Sequence, residues 1–136
     1  MRRKAQHEAV TAAVLVAVSP ASLARVVDHL LRERTDLRVV AHVDRGEALT
    51  RQVARLAPRV VVAHQRVLGR EPARRVAELK ASSPGSKLVL VAPHEGLGPR
   101  LRHGADACVG EEELVERLAA AVAVAARRAR GRRPRG

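Results

Sequence analysis

Short runs of Val, Leu and Ala, apolar at consecutive positions, alternate along this chain with amphipathic stretches of helical spacing. No other feature constrains the fold as tightly. A strand that is apolar at every position needs cover on both faces, which means a parallel sheet between two helical layers. Right-handed crossovers then restrict the connectivity to a doubly wound α/β arrangement.

The segments read in order. Ala12–Val18 is the first strand, ended by Ser19-Pro20 as an N-cap followed by proline at the first helical position. Leu23, Val26, Val27, Leu30 and Leu31 then recur at helical spacing. Leu37–Val43 is the second strand, and Gly46 opens a helix carrying Leu49, Val53 and Leu56 on one face, stopped near Pro58. Val60–Ala63 is the third strand, Pro72–Ala81 a helix, Leu88–Ala92 the fourth strand and Ala107–Val109 a short fifth. The last helix is predicted from Glu111-Glu112-Glu113 to Arg127-Arg128, both charge blocks matching the helix dipole, with Leu114, Val115, Leu118, Val122 and Ala125 as its buried stripe. Five strands alternating with helices in a chain of this length fit the flavodoxin-like sheet order 2-1-3-4-5.

Composition excludes several functions. The 136 residues contain no Phe, Tyr or Trp, which removes the aromatic platforms on which single-strand nucleic-acid readers stack bases. The single Cys108 excludes a disulfide framework and a cysteine-built zinc site, and its strand placement reads as an inert core thiol. No apolar run reaches the ~18 residues a membrane span requires, so a reducing cytoplasm is the expected location. There is no Ile or Asn, and 23 Arg stand against 3 Lys, a bias matching a GC-rich bacterial genome that inflates the formal charge of +12. Six of those charges fall in residues 127–136, read as a disordered Arg-rich tail, and residues 1–12 read as a mobile basic leader. Residues 13–126 form the domain, which carries only +4.

The domain resembles the receiver domain of bacterial two-component response regulators, closest to the type preceding LuxR-like DNA-binding helices. The resemblance is carried by Val14–Ala17, Leu30-Leu31, Asp36-Leu37-Arg38-Val39-Val40, Gly46-Glu47-Ala48-Leu49, Pro58-Arg59-Val60-Val61-Val62 and the turn Gly104-Ala105-Asp106-Ala107. It implies a signalling ancestry. An active receiver holds Mg²⁺ with an acid pair after strand 1, accepts phosphoryl on an Asp ending strand 3, contacts it with a hydroxyl ending strand 4, and neutralises it with a Lys after strand 5. Those positions fall here on Val18 and Ser19, His64, Ala92 and Gly110. Hard oxygen ligands are therefore missing where the metal needs them. The resemblance implies a pseudo-receiver acting through a protein partner, with no catalytic residue, cofactor or metal. Between Ala92 and Gly104, Pro93, Gly96, Gly98 and Pro99 interrupt the chain and predict at most one helical turn.

Two other sites are legible. Ser19, His64 and His94, with Glu95 nearby in sequence, fall at strand carboxyl ends, where doubly wound sheets bind ligands, and form a candidate small-ligand pocket. Arg127, Arg128, Arg130, Arg132, Arg133 and Arg135 form a candidate non-specific nucleic-acid tail. His42 and His103 are expected at the surface.

Overall fold

Val14 pairs with Val39 on one side and with Val60 on the other, which places the first strand inside the sheet. The computed structural model describes residues 11–93 and 103–131. The elements are β1 (Ala12–Ala17), α1 (Ala21–Arg32), β2 (Leu37–Val43), α2 (Gly46–Leu56), β3 (Val60–His64), α3 (Gln65–Leu68), α4 (Pro72–Ser82), β4 (Lys87–Ala92), β5 (Ala107–Gly110) and α5 (Ala119–Gly131). A 3₁₀ turn, Glu111–Glu113, and a π-turn, Leu114–Leu118, lead from β5 into α5. All strand pairings are parallel and the order is β2-β1-β3-β4-β5, the expected doubly wound sheet.

The alternation of side chains along each strand builds two cores. Val14, Val16, Val60, Val62, Val89 and Val91 face the layer of α1, the π-turn and α5, where Val27, Leu31, Leu118 and Val122 are buried. Leu15, Val61, Leu88 and Leu90 face α2 and α4, meeting Leu49, Val53, Val76 and Leu79. A side-chain period of two on strands covered on both faces requires this division. Among the described residues no helix is long and apolar enough to cross a membrane.

Several sequence expectations need correction. Pro20 is the N-cap of α1 rather than its first residue, and its carbonyl accepts the N–H groups of Leu23 and Ala24. Val115 is exposed instead of buried, because the wider π-turn directs Leu114 and Leu118 to the core and leaves Val115 in solvent. Cys108 is only half-buried, since β5 is the edge strand. His103 is half-buried in the turn before β5, where its Nε2 is enclosed with no hydrogen-bond partner among the described residues. Helix α5 runs beyond Arg127-Arg128 to Gly131, so the first residues of the expected tail are helical. Ala and Arg are strong helix formers, and nothing breaks the helix before that glycine. The predicted interruption between strands 4 and 5, the leader's residues 1–10 and residues 132–136 lie outside the described residues.

Candidate functional site: the carboxyl edge of the sheet

The strand order reverses between β1 and β3, so their carboxyl ends form the crevice where this sheet type places a ligand. Val18 is buried just after β1, and Ser19 beside it is half-buried. His64 ends β3 with no exposed surface, an environment that a polar ring enters only when its nitrogens are satisfied.

Both nitrogens of His64 are engaged. Nδ1 accepts the backbone N–H of Arg66 at 3.0 Å, which makes His64 the side-chain N-cap of α3. A ring nitrogen that accepts an N–H carries no proton, so the neutral ring places its hydrogen on Nε2. That atom donates to Oε2 of Glu111 at 2.6 Å. Glu111 is in turn held where the chain leaves β5: Glu113 Oε1 accepts the Gly110 N–H at 3.0 Å and pairs with Arg117 at 3.2 Å. Between β3 and β5 lies β4, whose last residue is Ala92. The His64–Glu111 bond therefore spans the end of a strand that presents only a methyl group.

This arrangement brings four of the sequence-selected positions, His64, Ala92, Gly110 and Val18, to one sheet edge as buried residues. Its central acid was missed. Glu111 reads in the sequence only as a helix-dipole charge, although an acid directly after Gly110 complements a histidine at the end of β3. A ring with one nitrogen protonated and the other accepting a hydrogen bond offers no lone pair to a metal. Among the described residues no group of three or more His, Cys, Asp or Glu could hold a metal ion. His94, the third residue of the candidate ligand pocket, lies outside the described residues. So do Arg132, Arg133 and Arg135; Arg127 and Arg128 are exposed on α5, which also includes Arg130.

No protein-family model and no curated protein matches this sequence. Solved structures do match, receiver domains of response regulators among them. The receiver domain of the response regulator NarL from Mycobacterium tuberculosis superimposes with a TM-score of 0.74 at 20% identity, covering 86% of this chain and 97% of that one. A LuxR-family response regulator from Aurantimonas sp. SI85-9A1 gives 0.69 at 19% identity, covering 84% and 86%. The receiver domain of a Luxo repressor protein from Vibrio parahaemolyticus gives 0.75 at 17% identity, covering 88% and 93%. The chain has the receiver fold. At such identities the likeness speaks for the fold alone, and function rests on the site.

Proposed function

We propose that this chain is a phosphorylation-independent receiver-like domain that acts through contact with a protein partner in bacterial transcriptional or two-component control, in the cytoplasm. The observation that carries this reading is the closed His64–Glu111 pair. A receiver needs an exposed carboxylate at the end of β3 and a hard oxygen cage for Mg²⁺. Here the strand ends in a buried imidazole with both nitrogens used, beside Val18. A domain with a receiver fold and no phosphoryl chemistry retains its surfaces as its means of action. No catalytic residue is assigned.

The test is incubation of the full chain with acetyl phosphate and Mg²⁺, followed by intact-mass measurement. The expected result is an unmodified mass for the native protein and for His64→Asp, because Val18 and Ser19 still cannot hold the metal. A Mg²⁺-dependent phosphoryl adduct on the native chain overturns the reading.

A nucleic-acid role for the arginine-rich end is the second reading, favoured by the exposure of Arg127 and Arg128 at the end of α5. It predicts salt-sensitive duplex binding with little sequence preference. The small-ligand reading at Ser19, His64 and His94 lacks a comparable observation, since His64 directs both nitrogens into the protein.

A further inference from the structure

Five lysine and arginine side chains are half-buried among the described residues: Arg34, Arg59, Arg75, Lys80 and Lys87. Four of them have a partner. Asp36 takes the Arg34 guanidinium at 2.9 and 3.0 Å, and Thr50 and Glu78 take Arg75 at 3.1 and 3.4 Å. Asp106 takes Lys80 at 2.5 Å and stands 4.0 Å from Lys87. Arg59 is the exception, for its guanidinium has no hydrogen-bond or ion-pair partner among the described residues. A charge drawn partly out of water costs free energy until an acceptor meets it.

Arg59 lines a cleft of about 400 Å³ at the amino edge of the sheet, the edge opposite His64. Thr11, Arg59 and Ser86 stand at the amino ends of β1, β3 and β4, and Ala129 reaches the same cleft from α5. Ser86 donates to the Pro58 carbonyl and accepts from Ser83 at 2.7 Å, so both buried hydroxyls direct their protons into the protein. The half-buried Thr11 hydroxyl has no partner among the described residues and remains a donor. No acid is among the described residues that line the cleft. Asp36 borders this edge, where its backbone carbonyl accepts the Ala12 N–H, but its carboxylate is held by Arg34.

Helix-dipole compensation explains Arg127 and Arg128, which are exposed near the carboxyl end of α5. It does not explain Arg59, which belongs to no helix and bonds no helix carbonyl among the described residues. The two α5 arginines offset the negative end of their helix beside the cleft and leave the Arg59 charge unopposed. A guanidinium fork matches two oxygens of one oxyanion. With three cations near and no lining acid, a doubly charged phosphate suits the cleft better than a carboxylate. The volume lies within the range of small-ligand sites, and Ala13, Ala57 and Pro58 offer apolar wall to an uncharged body.

We propose that this cleft binds a small phosphate monoester, with two phosphate oxygens on the Arg59 guanidinium and a third on the Thr11 hydroxyl. The site lies on the edge opposite His64 and Glu111, so it stands whether or not that edge carries out phosphoryl chemistry.

Amide correlation spectra of the full chain, titrated with ribose 5-phosphate at constant ionic strength, test it. The expected result is saturable binding at millimolar concentration or below, with shifts gathered at Thr11, Arg59, Ser86 and Ala129 and competition by inorganic phosphate. Arg59→Gln is expected to weaken binding by about tenfold or more, through loss of charge-assisted bonds, without changing the melting of the unliganded chain. Thr11→Val is expected to weaken it by about threefold, and keeps the test open should Arg59→Gln disturb folding. Absence of saturable shifts in the millimolar range overturns the proposal. So do shifts gathered around His64 and Glu111, or an Arg59→Gln chain that folds and binds as tightly as the native one. Loss of duplex DNA retention in Arg59→Gln, with no monoester binding by the native chain, assigns Arg59 to nucleic acid and likewise overturns it.

Discussion

Nε2 of His64 and Oε2 of Glu111 meet at 2.6 Å across the end of β4, joining β3 to the turn that leaves β5, a strand that is not its neighbour in the sheet. The bond closes the edge where this fold otherwise opens. It also ties the entrance of the last helical segment to the centre of the sheet, so its loss has a structural cost that can be measured.

Removing either partner is expected to destabilise the domain, by different routes. Glu111→Ala leaves a buried Nε2–H unpaired and costs about 1–3 kcal/mol. His64→Ala leaves a cavity and an uncapped Arg66 N–H, costing about 2–4 kcal/mol. Urea denaturation of the single and double variants should show a coupling of about 0.5–3 kcal/mol. Additive losses are the result that denies the interaction.

Asp106 gives the fold an acid-sensitive joint. It accepts the Leu88 N–H at 2.7 Å and the Lys80 ammonium at 2.5 Å, with Lys87 at 4.0 Å. Burial alone raises its pKa, but the hydrogen bonds from Lys80 and Leu88 outweigh it and hold the carboxyl below its ordinary value. A depressed native pKa means that the unfolded chain takes up the proton first. The stabilisation is therefore complete above the unfolded value, about 3.9, and is lost as pH falls through the native one. Asp106→Asn should lower stability by about 1–2 kcal/mol at neutral pH and flatten the acid limb of a stability-against-pH curve. An unchanged acid limb would refute this role.

Ala57 closes α2 with φ 44° and ψ 56°, a left-handed conformation that a β-carbon disfavours. Its N–H caps the helix by donating to the Val53 carbonyl at 2.8 Å. Ala57→Gly keeps that bond and relieves the clash. A gain of up to about 1 kcal/mol is expected, read as a higher melting temperature. A loss would mean that the methyl group contributes packing worth more than the strain.

Truncation after Ala126 removes the end of α5, whose Ala129 lines a cleft with Thr11, Arg59 and Ser86 at the opposite edge of the sheet. The shortened domain should still fold, with stability lower by roughly 1 kcal/mol as helical hydrogen bonds are lost. If the full chain retains duplex DNA, the slope of log affinity against log salt should be no steeper than roughly −5, at about −0.9 per phosphate contact for the arginines. Truncation should abolish that binding. Equal DNA affinity before and after it removes the arginines from the reading.

Most of the architecture is determined by local pattern. Runs such as Val60-Val61-Val62-Ala63 are apolar at consecutive positions, which specifies burial on both faces and hence a parallel sheet. Leu49 and Val53 recur at helical spacing and do lie on the buried side of α2. The same pattern marks the ends of β1 and β3, and so identifies Val18 and His64 as edge residues without any coordinates. Helix α3 escaped notice because its cap is a histidine, whose capping role depends on ring orientation and not on residue type. Val115 was misplaced because a 3.6-residue period does not hold through a π-turn. Glu111 joins His64 across 47 positions of sequence. Local periodicity carries no information about a bond between the ends of non-adjacent elements; only the placing of β4 between β3 and β5 brings His64 and the turn after β5 within reach.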